Sequence, residues 1–213
     1  MTIRGATLAV AASLAAPLAA HAQAPVPGTP WYARDDRGVQ AQALVGVQVQ
    51  PGAASDFVGT GVAYGVLVTL EPWPVAAFEL GYQGSFYRTT TLATQAGRDL
   101  AVFENGGYAA LKASPRLGAV EPYALAGAGF SLVRVVEEQG VVTRLADDTL
   151  ALLPVALGAD YHFLNGSAEG AERTHLTAGL RASYVFVFDN AFVPVTARGA
   201  DRLIFAALFG AQF

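Results

Sequence analysis

The feature that most constrains this chain is a two-residue alternation of side-chain character, sustained in strand-length pieces from Val39 to the C-terminus. Successive side chains of a strand point to opposite faces, so a period of two specifies a sheet with two chemically different surfaces. The first piece sets Val39, Ala41, Ala43, Val45, Val47 and Val49 against Gln40, Gln42, Leu44, Gly46 and Gln48. Seven more follow, at roughly Thr60 to Glu71, Val75 to Tyr87, Leu100 to Lys112, Glu121 to Arg134, Leu150 to His162, His175 to Val187 and Arg202 to Phe213. The seventh is the cleanest, with Leu176, Ala178, Leu180, Ala182, Tyr184 and Phe186 opposing His175, Thr177, Gly179, Arg181 and Ser183. Gly106-Gly107 and Gly127-Ala128-Gly129 blur the faces of the fourth and fifth pieces and leave room for a bulge.

The connections alternate in length. Pro72 to Pro74, Ala113 to Val120 and Phe163 to Thr174 are the shorter ones, and Gln50 to Gly59, Arg88 to Asp99, Val135 to Thr149 and Phe188 to Asp201 the longer. Neither Pro72 nor Pro74 can donate to a ladder, which breaks the chain there. Most charges fall in the connections, including Arg88, Glu137, Glu138, Arg144, Asp147 and Asp148. Ahead of all this, Met1 to Ala22 has the parts of a secretory signal peptide: Arg4, an uncharged apolar stretch from Ala6 to Ala20, and the small-residue exit Ala20-His21-Ala22. The apolar stretch falls short of the ~20 residues a spanning helix needs, and no later stretch reaches that length. Cleavage after Ala22 removes Arg4 and no acid, taking the formal charge from −4 to −5. A Pro-rich lead-in at 23–38 then precedes a single domain at 39–213.

Composition separates the architectures that alternation permits. A soluble barrel keeps its apolar stripe inside, whereas an outer-membrane barrel turns it outward to lipid. Only 14% of residues are charged, and of 13 basic residues all but Lys112 are Arg, unlike the Lys- and Glu-rich surface of a soluble β-protein. The polar stripe of Gly, Ser, Thr, Gln and Ala suits a narrow filled interior. Aromatic residues gather at piece ends, Trp73, Tyr123, Tyr161 and Phe213 at one and Phe86, Tyr87, Phe186 and Phe188 at the other, as two interfacial girdles would. The expectation is an all-β, eight-stranded antiparallel up-and-down transmembrane β-barrel. Zero Cys excludes a disulfide scaffold, a thiolate metal site and a lipidated N-terminal Cys. The acidic balance, with no basic block, argues against nucleic acid as a partner.

Phe78-Glu79-Leu80-Gly81-Tyr82, the run Pro122 to Phe130 and the closing strand Leu203 to Phe213 resemble the OmpA-like family of small outer-membrane barrels. The resemblance implies a monomeric barrel in the outer membrane of a Gram-negative bacterium, in contact with lipid and lipopolysaccharide. It also implies that Phe205, Phe209 and Phe213 form the terminal signal read by the barrel assembly machinery, although Ala211 replaces a larger apolar residue and Gly210 sits unusually near the end. Longer members carry a peptidoglycan-binding domain. This chain stops at Phe213, so wall anchoring is not expected.

Eight strands close a barrel about wide enough for its own side chains to fill. Glu79 and Arg181 must point inward, because Arg on the lipid face near the midplane costs about 2–4 kcal/mol, and Glu104 and Asp160 are expected to join them. We expect Arg181 to pair with Glu79, and Glu104 to be a further partner, in a structural lumen plug. The alternative is a narrow gated pore for small ions or solutes. His162 and His175 flank the turn at 163–174, but two His without a carboxylate cluster make a weak metal site. No cofactor or metal site is expected, and no catalytic motif is present, which leaves a lipid-modifying enzyme as the least supported class. The pairs Glu137-Glu138 and Asp147-Asp148 are read as external-loop acids that bridge divalent cations to lipopolysaccharide phosphates, or as plain solvated loop.

Overall fold

The alternating pieces form eight antiparallel strands that pair in chain order and close on themselves in the computed structural model. They are β1 (Val39–Val49), β2 (Gly61–Leu70), β3 (Ala76–Arg88), β4 (Leu100–Ala113), β5 (Val120–Glu137), β6 (Thr143–Phe163), β7 (His175–Phe188) and β8 (Arg202–Gln212). The structure describes residues 38–52, 55, 58–88, 100–137, 143–163, 175–188 and 201–213. The expected signal segment, the lead-in up to residue 37, Glu138 and most of the longer connections lie outside the described residues.

Closure joins β1 to β8, and beyond β8 Val39 and Phe213 exchange backbone hydrogen bonds of 3.2 and 2.9 Å. Among the described strands no edge is left to pair with another chain. Stepping from Val45 along paired residues reaches β6 at Thr149 by way of Tyr64, Gly84, Asn105 and Leu132. The opposite route, through Ala207 and Leu180, reaches β6 at Ala159, ten residues away. That stagger tilts the strands by about 40° to the barrel axis. It also decides which inward side chains meet across the lumen.

Among the described residues, two connections are tight. Residues 71–75 carry the two prolines, and the turn at 114–119 closes with reciprocal Leu117–Val120 backbone bonds of 2.7 and 3.2 Å. Gly118 takes φ +65° there, a conformation a side chain would strain. The start of β1 and the end of β8 lie at this same end of the barrel, the tight-turn end below.

The apolar stripe faces outward. Leu180 is 69% exposed and the adjoining Arg181 3%; Leu80 is 54% exposed and Glu79 0%. The same alternation runs through β1 and β2, where the even-numbered Gln40, Gln42 and Gln48 are buried and Val45, Val62 and Val66 are exposed. Trp73, Tyr161 and Phe213 face outward at the tight-turn end, and Phe103, Phe186 and Phe188 at the other. Tyr123 and Tyr87 depart from the expected girdles, because their positions have inward parity and both rings are buried.

The largest departure is the β5–β6 hairpin, which runs to Glu137 and resumes at Thr143. Glu137, Arg144, Asp147 and Asp148 are therefore strand residues, as is Arg88, and Asp147 stands opposite Arg134 in register. The reason is a change of polarity along one strand. Near its far end β5 turns Arg134 outward and buries Val133 and Val135, the reverse of its polarity lower down. The bulge also falls here, between Val135 and Val136, while β4 and β5 stay in register through Gly106-Gly107 and Gly127.

Candidate functional site

The interior is where this sequence concentrates its chemistry. Among the described residues, five buried carboxylates (Glu71, Glu79, Glu104, Glu121 and Asp160) share the lumen with three buried cations (Lys112, Arg181 and Arg202). Each sits at a position whose neighbours along the strand face outward, so its burial follows from parity rather than from local sequence.

At mid-depth, Arg181 on β7 grips Glu79 on β3 with two parallel bonds of 2.7 Å, Nη1 to Oε1 and Nη2 to Oε2. A planar guanidinium matches a carboxylate in this way, and the pairing is stronger than a single-point contact. Two phenols complete the cluster. Tyr108 donates to Glu79 Oε1 at 2.7 Å and accepts from Arg181 Nη1 at 3.0 Å, and Arg181 Nε donates to the Tyr123 hydroxyl at 2.9 Å. Both rings lie over glycines: a Cβ on Gly81 would come within 2.3 Å of the Tyr108 ring, and one on Gly158 within 2.4 Å of Tyr123. Any side chain at either position displaces the phenol that orients Arg181.

Toward the tight-turn end the network continues. Lys112 Nζ donates to Asp160 Oδ2 at 3.1 Å, lies 3.8 Å from Glu121 Oε1, and sits 4.1 Å from the centre of the Tyr123 ring. His162 Nε2 and Glu121 Oε2 are 3.0 Å apart. Gln42 Nε2 reaches Asp160 Oδ1 at 3.2 Å and Thr177 Oγ1 at 3.4 Å. Gln212 donates to Glu71 Oε2 at 2.7 Å. Buried ions this densely paired hold six strands (β1, β3, β4, β5, β6 and β7) in one register.

Toward the opposite end, Glu104 pairs with Arg202 and accepts from the Ser131 hydroxyl. Beside them lies a cavity of about 30 Å³, lined by Gln48, Ser85, Glu104, Ser131, Leu152 and Arg202 among others. That is room for about two waters. Beyond it Tyr87, Val102, Val133, Val135 and Leu150 pack as an apolar cap.

Three of the four expected lumen ions stand in the mid-depth and tight-turn clusters, and Arg181 pairs with Glu79 as expected. Glu104 is not a partner of Arg181. The stagger carries it toward the far end of the lumen, where Arg202 meets it instead. His162 is buried against Glu121 and its register partner is Thr177, so the two His are not cross-strand neighbours; His175 stands opposite Gln212. Lys112, Glu121 and Arg202 are not among the lumen ions expected from the sequence. Parity would have found them, since Lys112 shares a face with Glu104, Glu121 with Tyr123, and Arg202 with Ile204 and Ala206. Phe205, Phe209 and Phe213 all point outward on or just beyond β8.

The chain is similar in fold to several small outer-membrane barrels of known structure. Neisserial surface protein A is 19% identical, with 82% of this chain and 96% of that one covered at a TM-score of 0.46. The N-terminal β-barrel domain of Pseudomonas aeruginosa OprF is 10% identical, with 82% and 97% covered at 0.46. Ail of Yersinia pestis is 13% identical, with 83% and 98% covered at 0.39. No protein-family profile and no curated protein sequence matches the chain.

Proposed function

We propose that this chain is an outer-membrane β-barrel of the OmpA-like kind, exported by its 1–22 segment and inserted as a monomer in a Gram-negative outer membrane. Its interior acts as a fixed plug, and its role is structural or carried by the external loops. The observation behind this reading is the inversion of polarity, with exposed Leu, Val and Phe around the outside and ions paired within. In water such an exterior would aggregate, and in lipid it is the stable arrangement. Partners under this reading are lipid and lipopolysaccharide, with the assembly machinery recognising Phe205, Phe209 and Phe213. The reading assigns the chain no catalytic step.

The decisive experiment is fractionation of cells expressing the full chain, followed by gel migration with and without boiling. Recovery in the outer membrane with a heat-dependent shift supports the barrel, and recovery as a detergent-free periplasmic protein overturns it. Planar-bilayer recording separates plug from pore. A steady open conductance unchanged by Arg181→Ala contradicts the plug and favours a narrow pore, which the excess of buried carboxylates would bias toward cations.

A further inference from the structure

On the outer face of β2–β4, one polar cluster interrupts the apolar belt. The Tyr64 and Tyr82 hydroxyls both donate to Asn105 Oδ1, each at 2.8 Å. Asn105 faces outward, sharing parity with Phe103 and Leu111. The cluster closes over Gly84, where a Cβ would lie 2.5 Å from Tyr64 Cζ and 2.6 Å from Asn105 Oδ1. The missing side chain makes a hollow that the phenol and the amide fill, so the notch is built by the fold and is not a chance polar residue. Because both phenol protons go to Oδ1, the amide nitrogen is turned away from them, with its two N–H donors toward the surroundings.

The depth of the notch identifies what those donors meet. The Phe86 and Phe103 rings lie 4.9 Å apart and tilted to one another in the girdle away from the tight-turn end, and Arg134, the register partner of Phe103, is exposed on the same outer face. An outward Arg marks where hydrocarbon ends, and aromatic girdles mark the headgroup level. Asn105 is two residues closer to mid-barrel than Phe103 on the same strand, about 5 Å deeper along a tilted axis. Acyl chains carry their linkage carbonyls at that depth, and a carbonyl is an acceptor without a donor of its own.

We propose that Asn105, held by Tyr64 and Tyr82, is a lipid-binding site that donates its amide N–H to the ester or amide carbonyl of an acyl-chain linkage. The inference rests on the membrane placement proposed above. The test is native mass spectrometry of the full folded chain, titrated with diacyl phosphatidylethanolamine or with its dialkyl-ether counterpart, which lacks the carbonyls. The wild-type chain is expected to retain the diacyl lipid about fivefold more strongly, the worth of roughly one hydrogen bond, and Asn105→Leu to erase that preference. Equal retention by the wild type, or a preference that survives in Asn105→Leu, overturns the site. Asn105→Ala carries the same test should the Leu variant not fold. A cross-linked dimer lost in either variant would assign the notch to a second copy instead and equally overturn the proposal. A chain that never enters bilayers fails the membrane placement itself, whereas a heat-modifiable barrel with no carbonyl preference fails only this inference.

Discussion

The two ends of the lumen solve the same problem differently. At mid-depth and toward the tight turns, Arg181, Lys112 and three of their acidic partners are bonded to one another and to phenols, an amide and an imidazole. Toward the opposite end, among the described residues, a Glu104–Arg202 pair stands beside a cavity and under an apolar cap. In the first arrangement each ion is held by several close side-chain partners, so its stability rests mainly on them. The second leaves space in which water can stand in for a lost partner. The cost of removing one ion is therefore expected to differ between the two ends, although both pairs are Arg with Glu.

The largest effect belongs to Arg181→Met. Glu79 keeps only the Tyr108 hydroxyl, and a buried carboxylate stripped of its cation costs about 3–5 kcal/mol. Urea unfolding of the barrel in lipid vesicles, followed by Trp fluorescence, measures this. The double variant Glu79→Met, Arg181→Met should recover most of the loss, because both charges leave together. A mild effect from Arg181→Met alone would mean that the mid-depth cluster is already wet, and the contrast between the ends would collapse.

Arg202→Met should cost less, about 1–3 kcal/mol in the same assay. Glu104 retains Ser131 and gains access to the adjoining cavity. Equal losses at Arg181 and Arg202 would show that the cavity does not solvate the pair. Gln48→Met, on the wall of that cavity, is smaller again. It removes a buried amide without changing volume much, and stability should shift by less than about 1.5 kcal/mol. A crystal structure of the wild type should show ordered water against Gln48 and Ser85, and that of Gln48→Met should show fewer.

The same contrast explains how much of the fold and of the lumen is legible in the sequence. Outward and inward faces of β1, β2, β3, β7 and β8 follow from alternation, because in the apolar belt each strand must show lipid-compatible residues on one side. So does the inward aim of Glu79 and Arg181. Alternation is a property of one strand, however, and pairing between distant strands depends on a stagger that accumulates around the barrel. Glu104 and Arg181 share inward parity, yet the stagger sets them at different depths, so Arg202 takes the place that parity alone left open. The far part of the β5–β6 hairpin was hidden for another reason. Where Arg134 faces out and Val133 and Val135 face in, the pattern inverts, and charges such as Asp147 resemble a loop. The apolar cap is the structural meaning of that inversion, since a strand that has left the apolar belt has a wet outside and needs a greasy inside.

The smallest expected effect on stability separates the interior from mere position along the axis. Phe213 lies at the tight-turn end, next to Gln212, which bonds the buried Glu71, but its ring faces outward and is 64% exposed. If stability at this end comes from the lumen, Phe213→Ala should change unfolding by no more than about 0.5 kcal/mol, as substitutions away from buried features do. Its backbone bonds to Val39 do not require the side chain. The effect should appear in cells instead, as a severalfold drop in heat-modifiable protein in the outer membrane, because the ring then serves recognition during insertion rather than the finished barrel. A variant that assembles normally but unfolds as readily as Arg181→Met would reverse both assignments: the rim would carry the stability of this end, and the ions within would be incidental to it.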